Sequence, residues 1–566
     1  MNILGISGSR HDSSACLIKD KKIFMAIEEE RIIRIKHASG RRPFMAINTL
    51  LENAHISPSD VNLVSYFLDP SLFNRQVLKY VLFDDPKRYL LHPKNYHTIR
   101  FFYRGKRYEN DLKDMLRTQG ITAPIDYVNH HVAHAASSYY VSGFKDAMVL
   151  VIDNMGELDS TSIFYGNGSN LKLIKSQKIP HSLGMLYAAV SEYLGFKPWD
   201  EEGKVMALAA YGNPIIPVDK IATIGDGWFK VNKPFQMVQT RNYERCYDKE
   251  LLRMFGPARQ RDEPITQFHK DVAASLQRTV EEVCKNLVSY AHKITGSNKL
   301  CVSGGVALNC KTNGELLKLP FVEDIYVPSA PGDNGSSLGA ALYSSVFRNG
   351  TLPEPLHVAG IGQEFTDSQI KTALELSGLP FYETKDPAKD AADILLKEEM
   401  VLWFQGKTEF GPRALGHRSL LALARKEETR DFINSNVKHR ELWRPLCPSV
   451  LAECANKYFK KLSDGRFMNV AFDATDYAKE RIPAVIHIDN NARAQLVYKA
   501  ESEVFHSLLE IIGQKTGDPV LLNTSFNGRG EPIVNSPSDA ITTFQCMPIN
   551  SMVIGNYVVR KKILDS

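Results

Sequence analysis

Over the first thirty residues, apolar runs broken by short polar turns predict three consecutive strands, Ile3–Ser7, Ser14–Ile18 and Ile23–Ile27, separated at Gly8–Ser13 and Asp20–Lys22. The same cadence returns later. Ala147–Ile152 is an apolar run, Asp153–Leu158 a turn containing Gly156, and Ser160–Tyr165 an alternating strand that ends in the turn Gly166–Ser169. Each unit is followed by a segment with apolar residues at helical spacing, Pro43–Ala54 after the first and Ser182–Leu194 after the second.

A strand–hairpin–helix unit used twice predicts an α/β domain duplicated in the manner of the actin-like (ASKHA) ATPases, which enclose nucleotide between two lobes. A further cluster fits that plan: the short strand Lys299–Val302, the glycine turn Ser303-Gly304-Gly305-Val306-Ala307, and a helix over Asn309–Leu317. Glycines at such a turn let backbone N–H groups approach phosphate. A second glycine turn, Pro331-Gly332-Asp333-Asn334-Gly335, precedes a small-residue helix at Ser336–Ser345. Pro and Gly then interrupt both periodicities at Asn349–Pro355, which divides the chain into domains at 1–348 and 356–566. The second opens with a capping box, Thr366 with Gln369, then a strand at Pro380–Thr384 and a helix from Ala388, so it too is α/β.

Composition narrows the function only slightly. The net charge of +5 is too balanced to announce a nucleic-acid protein, although it suits anionic small ligands. The eight cysteines are scattered without a Cys-x-x-Cys pair, which argues against a disulfide framework or a thiolate zinc site and reads as buried free thiols. The start lacks a basic region and apolar stretch of leader type, and no later run reaches membrane-span length, so a cytoplasmic protein with no membrane partner is expected.

Candidate chemistry lies in both halves. His130 and His134 stand four apart among good helix formers, a spacing that puts two imidazoles on one face as a metal chelate needs. Asp153 ends an apolar strand and Asp333 sits in the second glycine turn, so two carboxylates can join them; this N/O set suits iron, manganese or zinc. No Glu lies between the histidines to serve as the base of an HExxH hydrolase. His11, with Asp12, lies in the first turn, where an imidazole can take a proton from a substrate hydroxyl. Lys36 and Lys204 are candidate phosphate or acceptor contacts.

Residues 406–419 combine three glycines with Lys407, Arg413 and Arg418, and are followed by Lys438, Arg440, Arg444 and an isolated Arg493. Cations amid glycines and few acids predict an anion pocket, since guanidiniums fork onto phosphate or carboxylate and Lys acts as a point charge. After the strand Val520–Leu522, the stretch Asn523-Thr524-Ser525-Phe526-Asn527 offers hydroxyls and amides for a nucleotide or a carbamoyl group.

With these motifs in that order, the chain resembles the O-carbamoyltransferases of antibiotic and nodulation-factor biosynthesis, of the tobramycin type, over nearly its whole length. The matching stretches are His11-Asp12-x-Ser14-Ala15, Glu28-Glu29-Glu30-Arg31 with Lys36-His37, His130-His131-x-x-His134-Ala135, Gly203-Lys204-x-Met206, Ser303-Gly304-Gly305-Val306-Ala307-x-Asn309, Glu409–Gly416 and Leu522–Asn527. The resemblance implies an actin-like threonylcarbamoyl-transfer-type domain fused to a YrdC-like adenylate-forming domain. It further implies that carbamoyl phosphate and ATP become carbamoyladenylate in the later domain, and that the intermediate passes internally to a small-molecule hydroxyl acceptor in the earlier one. Carried over, Arg413, Lys438, Arg444, Arg493, Asn523 and Ser525 serve adenylate formation; His130, His134, Asp153 and Asp333 hold iron; Asp12, Lys36, Lys204, Gly304, Gly305 and Asn309 contact substrate or nucleotide; His11 is the base. Magnesium accompanies ATP in this picture.

Two other readings compete. One is carbamoyl or threonylcarbamoyl transfer to transfer RNA or a protein cysteine, which the modest charge and the absence of a Cys-rich zinc or acylphosphatase-like segment disfavour. The other is an actin-like nucleotide-binding regulator without transfer chemistry, disfavoured by the two sets of chemically equipped residues. Lys87–Arg107, with seven Lys or Arg and five Tyr or Phe, is compatible with RNA contact or an aromatic acceptor pocket, and is best read as a capping insertion over the cleft.

Overall fold

A computed structural model describes residues 1–8, 11–79, 104–235, 246–247 and 249–561. Of the basic aromatic segment, 87–103 lies outside the described residues, and Arg104–Arg107 open the helix Arg104–Thr118. The chain forms two compact units, one of residues 1–29 and 40–355, the other of 30–39 and 356–566. Both are mixed α/β.

The first unit carries two five-stranded sheets of the same plan. In one, β1 (Asn2–Ser7), β2 (Ser14–Lys19) and β3 (Lys22–Glu28) run antiparallel, and β4 (Leu63–Tyr66) and β5 (Ile125–Tyr127) add in parallel on the β1 side. In the other, β6 (Asp146–Ile152), β7 (Asp159–Asn167) and β8 (Asn170–Lys178) form the antiparallel trio. A hairpin of β9 (Ala222–Gly225) and β10 (Trp228–Val231) stands apart; β11 (Lys299–Ser303) and β12 (Asp324–Tyr326) then extend the second sheet in parallel from β6. The repeat read from hydrophobic patterning is thus a repeat of strand order.

Small residues bring the two halves of this unit together. The helix Ser336–Asn349 lies so close to its neighbours that a Cβ on Gly339 would stand 1.8 Å from the Ala133 carbonyl oxygen, and one on Gly5 2.0 Å from that of Ser337. Side chains at these positions would push backbones apart, and interiors at crystal-like density absorb no such change. The loop before this helix is pinned from the first sheet: the Ser14 hydroxyl donates to the Asn334 carbonyl at 2.5 Å, and the Asn334 amide donates to Glu28 Oε1 at 3.2 Å.

The second unit is built on one eight-stranded mixed sheet, in the order β13 (Phe381–Glu383), β22 (Tyr557–Arg560), β21 (Ser551–Ile554), β14 (Val401–Phe404), β15 (Arg418–Leu423), β20 (Val520–Ser525), β16 (Cys447–Leu451), β19 (Gln495–Val497). A two-stranded pair, β17 (Phe472–Asp473) with β18 (Asn491–Ala492), lies beside it in sequence. Trp403, Leu421 and Val553 of the sheet pack with Leu508, Leu509 and Ile512 of the helix Glu503–Thr516 and with Ala391 and Leu395 of the helix Pro387–Leu395. That core fixes one face of β14, β15 and β21, from whose ends the polar loops project.

Candidate functional site

In the first unit the histidine helix, His130–Tyr139, starts under tight control. The Asn129 side chain accepts from the Val132 N–H at 3.1 Å as N-cap, and donates to Glu157 Oε2 at 2.7 Å. Glu157 also takes the N–H groups of Asp69 and His130. It is fully buried, and burial pushes its carboxyl up to about 7. Helical spacing then brings His130 and His134 together edge to face, with their Nε2 atoms 3.1 Å apart.

Two carboxylates close on that pair. Asp153, just past β6, lies 3.2 Å from His130 Nε2, and its other oxygen accepts from the Gly305 N–H at 3.1 Å. Asp333 Oδ1 stands 3.5 Å from His130 Nε2 and 3.4 Å from His134 Nε2. The glycine turn is required here: Gly304 has φ +90°, and a Cβ on it would lie 2.2 Å from the Ile152 carbonyl oxygen. Burial alone would depress His130, but Asp333 and Asp153 outweigh it and hold the imidazole well above its usual range. His131 goes the other way, pulled down to about 3 by burial and then by His130, and its Nδ1 meets the Ser162 hydroxyl at 2.7 Å.

The four side chains fit a divalent metal. Each offers one donor atom, all within 4.8 Å of one another. Donors held about 2.1 Å from one ion at tetrahedral or octahedral angles stand roughly 3.0–3.4 Å apart, close to the 3.1–3.5 Å between His130 and His134 and from them to the carboxylates. Both histidines and Asp153 are buried, whereas the Asp333 side chain is 36% exposed, so the cluster opens to a ligand on the Asp333 side.

The other expected residues of this unit are placed differently. His11 Nδ1 pairs with Asp12 Oδ2 at 2.9 Å near the surface. Lys204 is held 2.7 Å from Glu201, one turn earlier on its helix. Asn309 caps the helix Cys310–Leu317: its oxygen accepts from the Thr312 N–H and from Gln277, and its amide donates back to Gln277 at 2.9 Å. A short polar side chain at a helix start is worth most as a cap. Lys36 is exposed and belongs to the second unit.

In that second unit, a π-helical turn, Ile433–Val437, delivers Lys438 to the end of β20. The buried ammonium donates to the Ser525 carbonyl, to Asn527 Oδ1 at 2.8 Å and to the Asn527 carbonyl at 3.1 Å. Burial, and after it the charges of Arg440 and Arg444, pull the Lys438 amine well below the usual lysine range; Arg440 is lowered by burial, then by Arg444, and less by Arg493. Arg493 donates through Nε and Nη2 to Cys447 Sγ, at 3.2 and 3.1 Å. Lys438, Arg440, Arg444 and Arg493 therefore form one like-charged group. Cys447, read from sequence as a buried free thiol, touches it, and no spacing rule signals that.

Asn523 is buried beside this group, donating to Ser449 at 2.9 Å and to Gln495 at 3.2 Å. Gln495 in turn donates to the Leu415 carbonyl at 2.8 Å, which ties the Arg413 loop to the strand following Arg493. One oxygen of the buried Glu409 accepts the N–H groups of Leu415, His417 and Arg418 at 2.9–3.0 Å and shapes the same loop. Arg418 is not part of an anion pocket. Its guanidinium is buried, stacks 3.5 Å from the Phe404 ring centroid, and donates to the carbonyls of Gln405, Gly406 and His417 and the hydroxyl of Thr408. Those contacts occupy both of its Nη groups, and only the buried Nε is left without a partner.

Comparison with known proteins adds a second kind of observation. The family description "Carbamoyltransferase N-terminus" matches residues 2–342, and "Carbamoyltransferase C-terminus" matches 392–561. Nodulation protein NolNO of Sinorhizobium fredii is 34% identical over 98% of this chain and 79% of its own length. Nodulation protein NolO of Bradyrhizobium diazoefficiens is 37% identical over 77% of this chain and 79% of its own. Nodulation protein U of Rhizobium tropici is 26% identical, covering 94% and 92%. Among the described residues, no helix is long and apolar enough to cross a membrane.

Proposed function

The chain belongs to the carbamoyltransferase family and is a transferase, and from that premise we propose that it is an ATP-dependent O-carbamoyltransferase acting on a small-molecule hydroxyl. The observation that carries the reading is the like-charged group of Lys438, Arg440, Arg444 and Arg493. Four cations held together at a cost in repulsion make chemical sense where polyanions bind.

In this reading the second unit is the YrdC-like adenylate-forming domain. Water cleaves carbamoyl phosphate to carbamate and phosphate; a carbamate oxygen attacks the α-phosphorus of ATP and expels pyrophosphate, leaving carbamoyladenylate. Arg413, Lys438, Arg444 and Arg493 offset the phosphate charge, and Ser525 and Asn523 orient the carbamoyl amide. Ordered cationic donors accelerate such steps because they need no reorganisation as charge develops.

The first unit, with its repeated sheet plan, is the actin-like transfer domain. The acceptor oxygen attacks the carbamoyl carbon, a C–O bond forms, the bond from that carbon to the phosphate oxygen breaks, and AMP leaves. His11 takes the hydroxyl proton, with Asp12 at its Nδ1 orienting the imidazole. Gly304 and Gly305 keep this turn bare of side chains beside nucleotide phosphate, their own N–H groups being taken by Pro331 and Asp153, and Lys204 adds charge toward substrate; Lys36, in the second unit, is proposed as a contact to phosphate there. His130, His134, Asp153 and Asp333 would hold a divalent metal, iron by family resemblance, which when bound supplies a Lewis acid for phosphate. Magnesium accompanies ATP.

The test is pyrophosphate and AMP release from ATP by the full chain. Release that depends on carbamoyl phosphate, with AMP rising further when an acceptor alcohol is carbamoylated, is expected; release indifferent to carbamoyl phosphate would overturn the reading.

A further inference from the structure

Ten residues from the start of the sequence, 30–39, belong to the second unit, although the rest of that unit begins at 356. Their arginines are spent on two loops. Arg31, almost wholly buried, donates through Nη2 to the Gly411 carbonyl at 2.5 Å. Arg34 donates through Nη1 to the Ile533 carbonyl at 2.6 Å and through Nη2 to that of Pro532 at 2.9 Å. Asp539 at 3.8 Å and Glu531 at 4.0 Å offset its charge.

Those two loops carry the anion-binding chemistry. Gly411 and Gly416, with φ of +119° and +92°, bracket Arg413; glycines in such conformations leave the loop between them soft unless something outside holds it. Arg31 holds the Gly411 end, and Glu409 holds the Leu415 end through its N–H. The other loop presents Asn527, which receives Lys438. Glu531 clamps Asn527 and Gly528, its carbonyl accepting from the Asn527 amide at 2.6 Å and its carboxylate from the Gly528 N–H at 3.0 Å; Arg34 grips the next two carbonyls.

We propose that Arg31 and Arg34 are positioning residues for the anion pocket of the second unit, and that segment 30–39 is a strap without which the pocket binds polyanions weakly. Neither arginine touches substrate in this account. Each replaces loop entropy with a charge-assisted hydrogen bond, so that the cations reach the ligand already in place. The proposal rests on reading this pocket as the adenylate-forming site.

The experiment uses the full chain, with Arg31→Lys, Arg34→Gln and Arg34→Lys, inorganic pyrophosphate as the probe, and hydrogen exchange alongside calorimetry. In Arg34→Gln, exchange at 527–533 should quicken, and in Arg31→Lys at 411–416, with the rest of the unit unchanged. The Kd for pyrophosphate should rise roughly tenfold in Arg34→Gln and less in Arg34→Lys, which keeps charge and one donor. In turnover, the KM for carbamoyl phosphate should rise with kcat changed less than about threefold. Unchanged loop exchange in folded variants, or a fall in kcat alone, would overturn the strap. Wild-type chain that binds pyrophosphate but never turns over carbamoyl phosphate would sink the adenylation reading, while exchange and pyrophosphate affinity would still decide the strap.

Discussion

The two polar clusters solve opposite electrostatic problems. In the first unit, imidazoles meet carboxylates, so each burial cost is met by a neighbour of opposite sign, and Asp333 is held well below the usual carboxylate range because His130 and His134 outweigh its burial. In the second, Lys438, Arg440 and Arg444 repel one another; Lys438 is satisfied by carbonyls and an amide oxygen, Arg440 by the Asn434 amide oxygen, and the neighbouring Arg493 by a thiol. A balanced cluster is complete with one small cation. A like-charged one is complete only with an anion, and its strain before binding becomes affinity afterwards.

The contrast is broken most forcefully by deleting one cation. Lys438→Ala should lower carbamoyl-phosphate-dependent pyrophosphate release by on the order of 10³-fold, as loss of a preorganised charge-stabilising donor does. His11→Asn should leave that release intact and stop acceptor carbamoylation. Pyrophosphate release that survives in Lys438→Ala would dissolve the assigned division of labour.

Metal stripping acts on the other cluster. Dialysis against a chelator, followed by return of magnesium alone, should lower the thermal midpoint of the first unit, consistent with about 2.7 kcal/mol of linkage at a ligand concentration a hundred times Kd. Asp333→Asn should reduce bound transition metal by elemental analysis, and pyrophosphate release should persist in both preparations. Equal loss of both activities on stripping would show that the clusters are not separable in this way.

The smallest effect sharpens the sign of the strain. Lys438 titrates below the unfolded lysine value of about 10.4, so between its folded pKa and that value the unfolded chain binds more protons. Stability of the free protein should therefore rise with pH across that window, by at most about 1.4 kcal/mol per unit, while phosphate affinity falls as the ammonium is lost. Lys438→Met should flatten the slope in urea unfolding measured between pH 7 and 10; an unchanged slope would locate the strain elsewhere.

Much of this was legible in the chain because the relevant signals are local. The first sheet's strands, the Thr366 capping box and the four-residue histidine spacing each lie within a few residues, and the structure realises all three. The convergence of Asp153 and Asp333 was read from two local features, the end of an apolar strand for Asp153 and a glycine turn before a helix for Asp333, and the two carboxylates do lie together. That Asn309 caps the helix Cys310–Leu317 was a further local signal, announced by its position just before that helix. What escaped depends on partners far apart in sequence. Arg418 has the composition of an anion contact, yet its neighbours are backbone carbonyls that only the folded loop presents. Glu409 as a loop organiser and Cys447 beside Arg493 leave no trace in spacing at all.

The early origin of residues 30–39 also sets a schedule for synthesis. They leave the ribosome about three hundred residues before the remainder of their unit. At roughly 5–20 residues per second, that is on the order of 15–60 s during which the first unit can fold while a short cationic stretch within it stays without its destination. The carbonyls that receive Arg31 and Arg34, those of Gly411, Pro532 and Ile533, are all made after that interval, so the oldest piece of the unit waits for loops that do not yet exist.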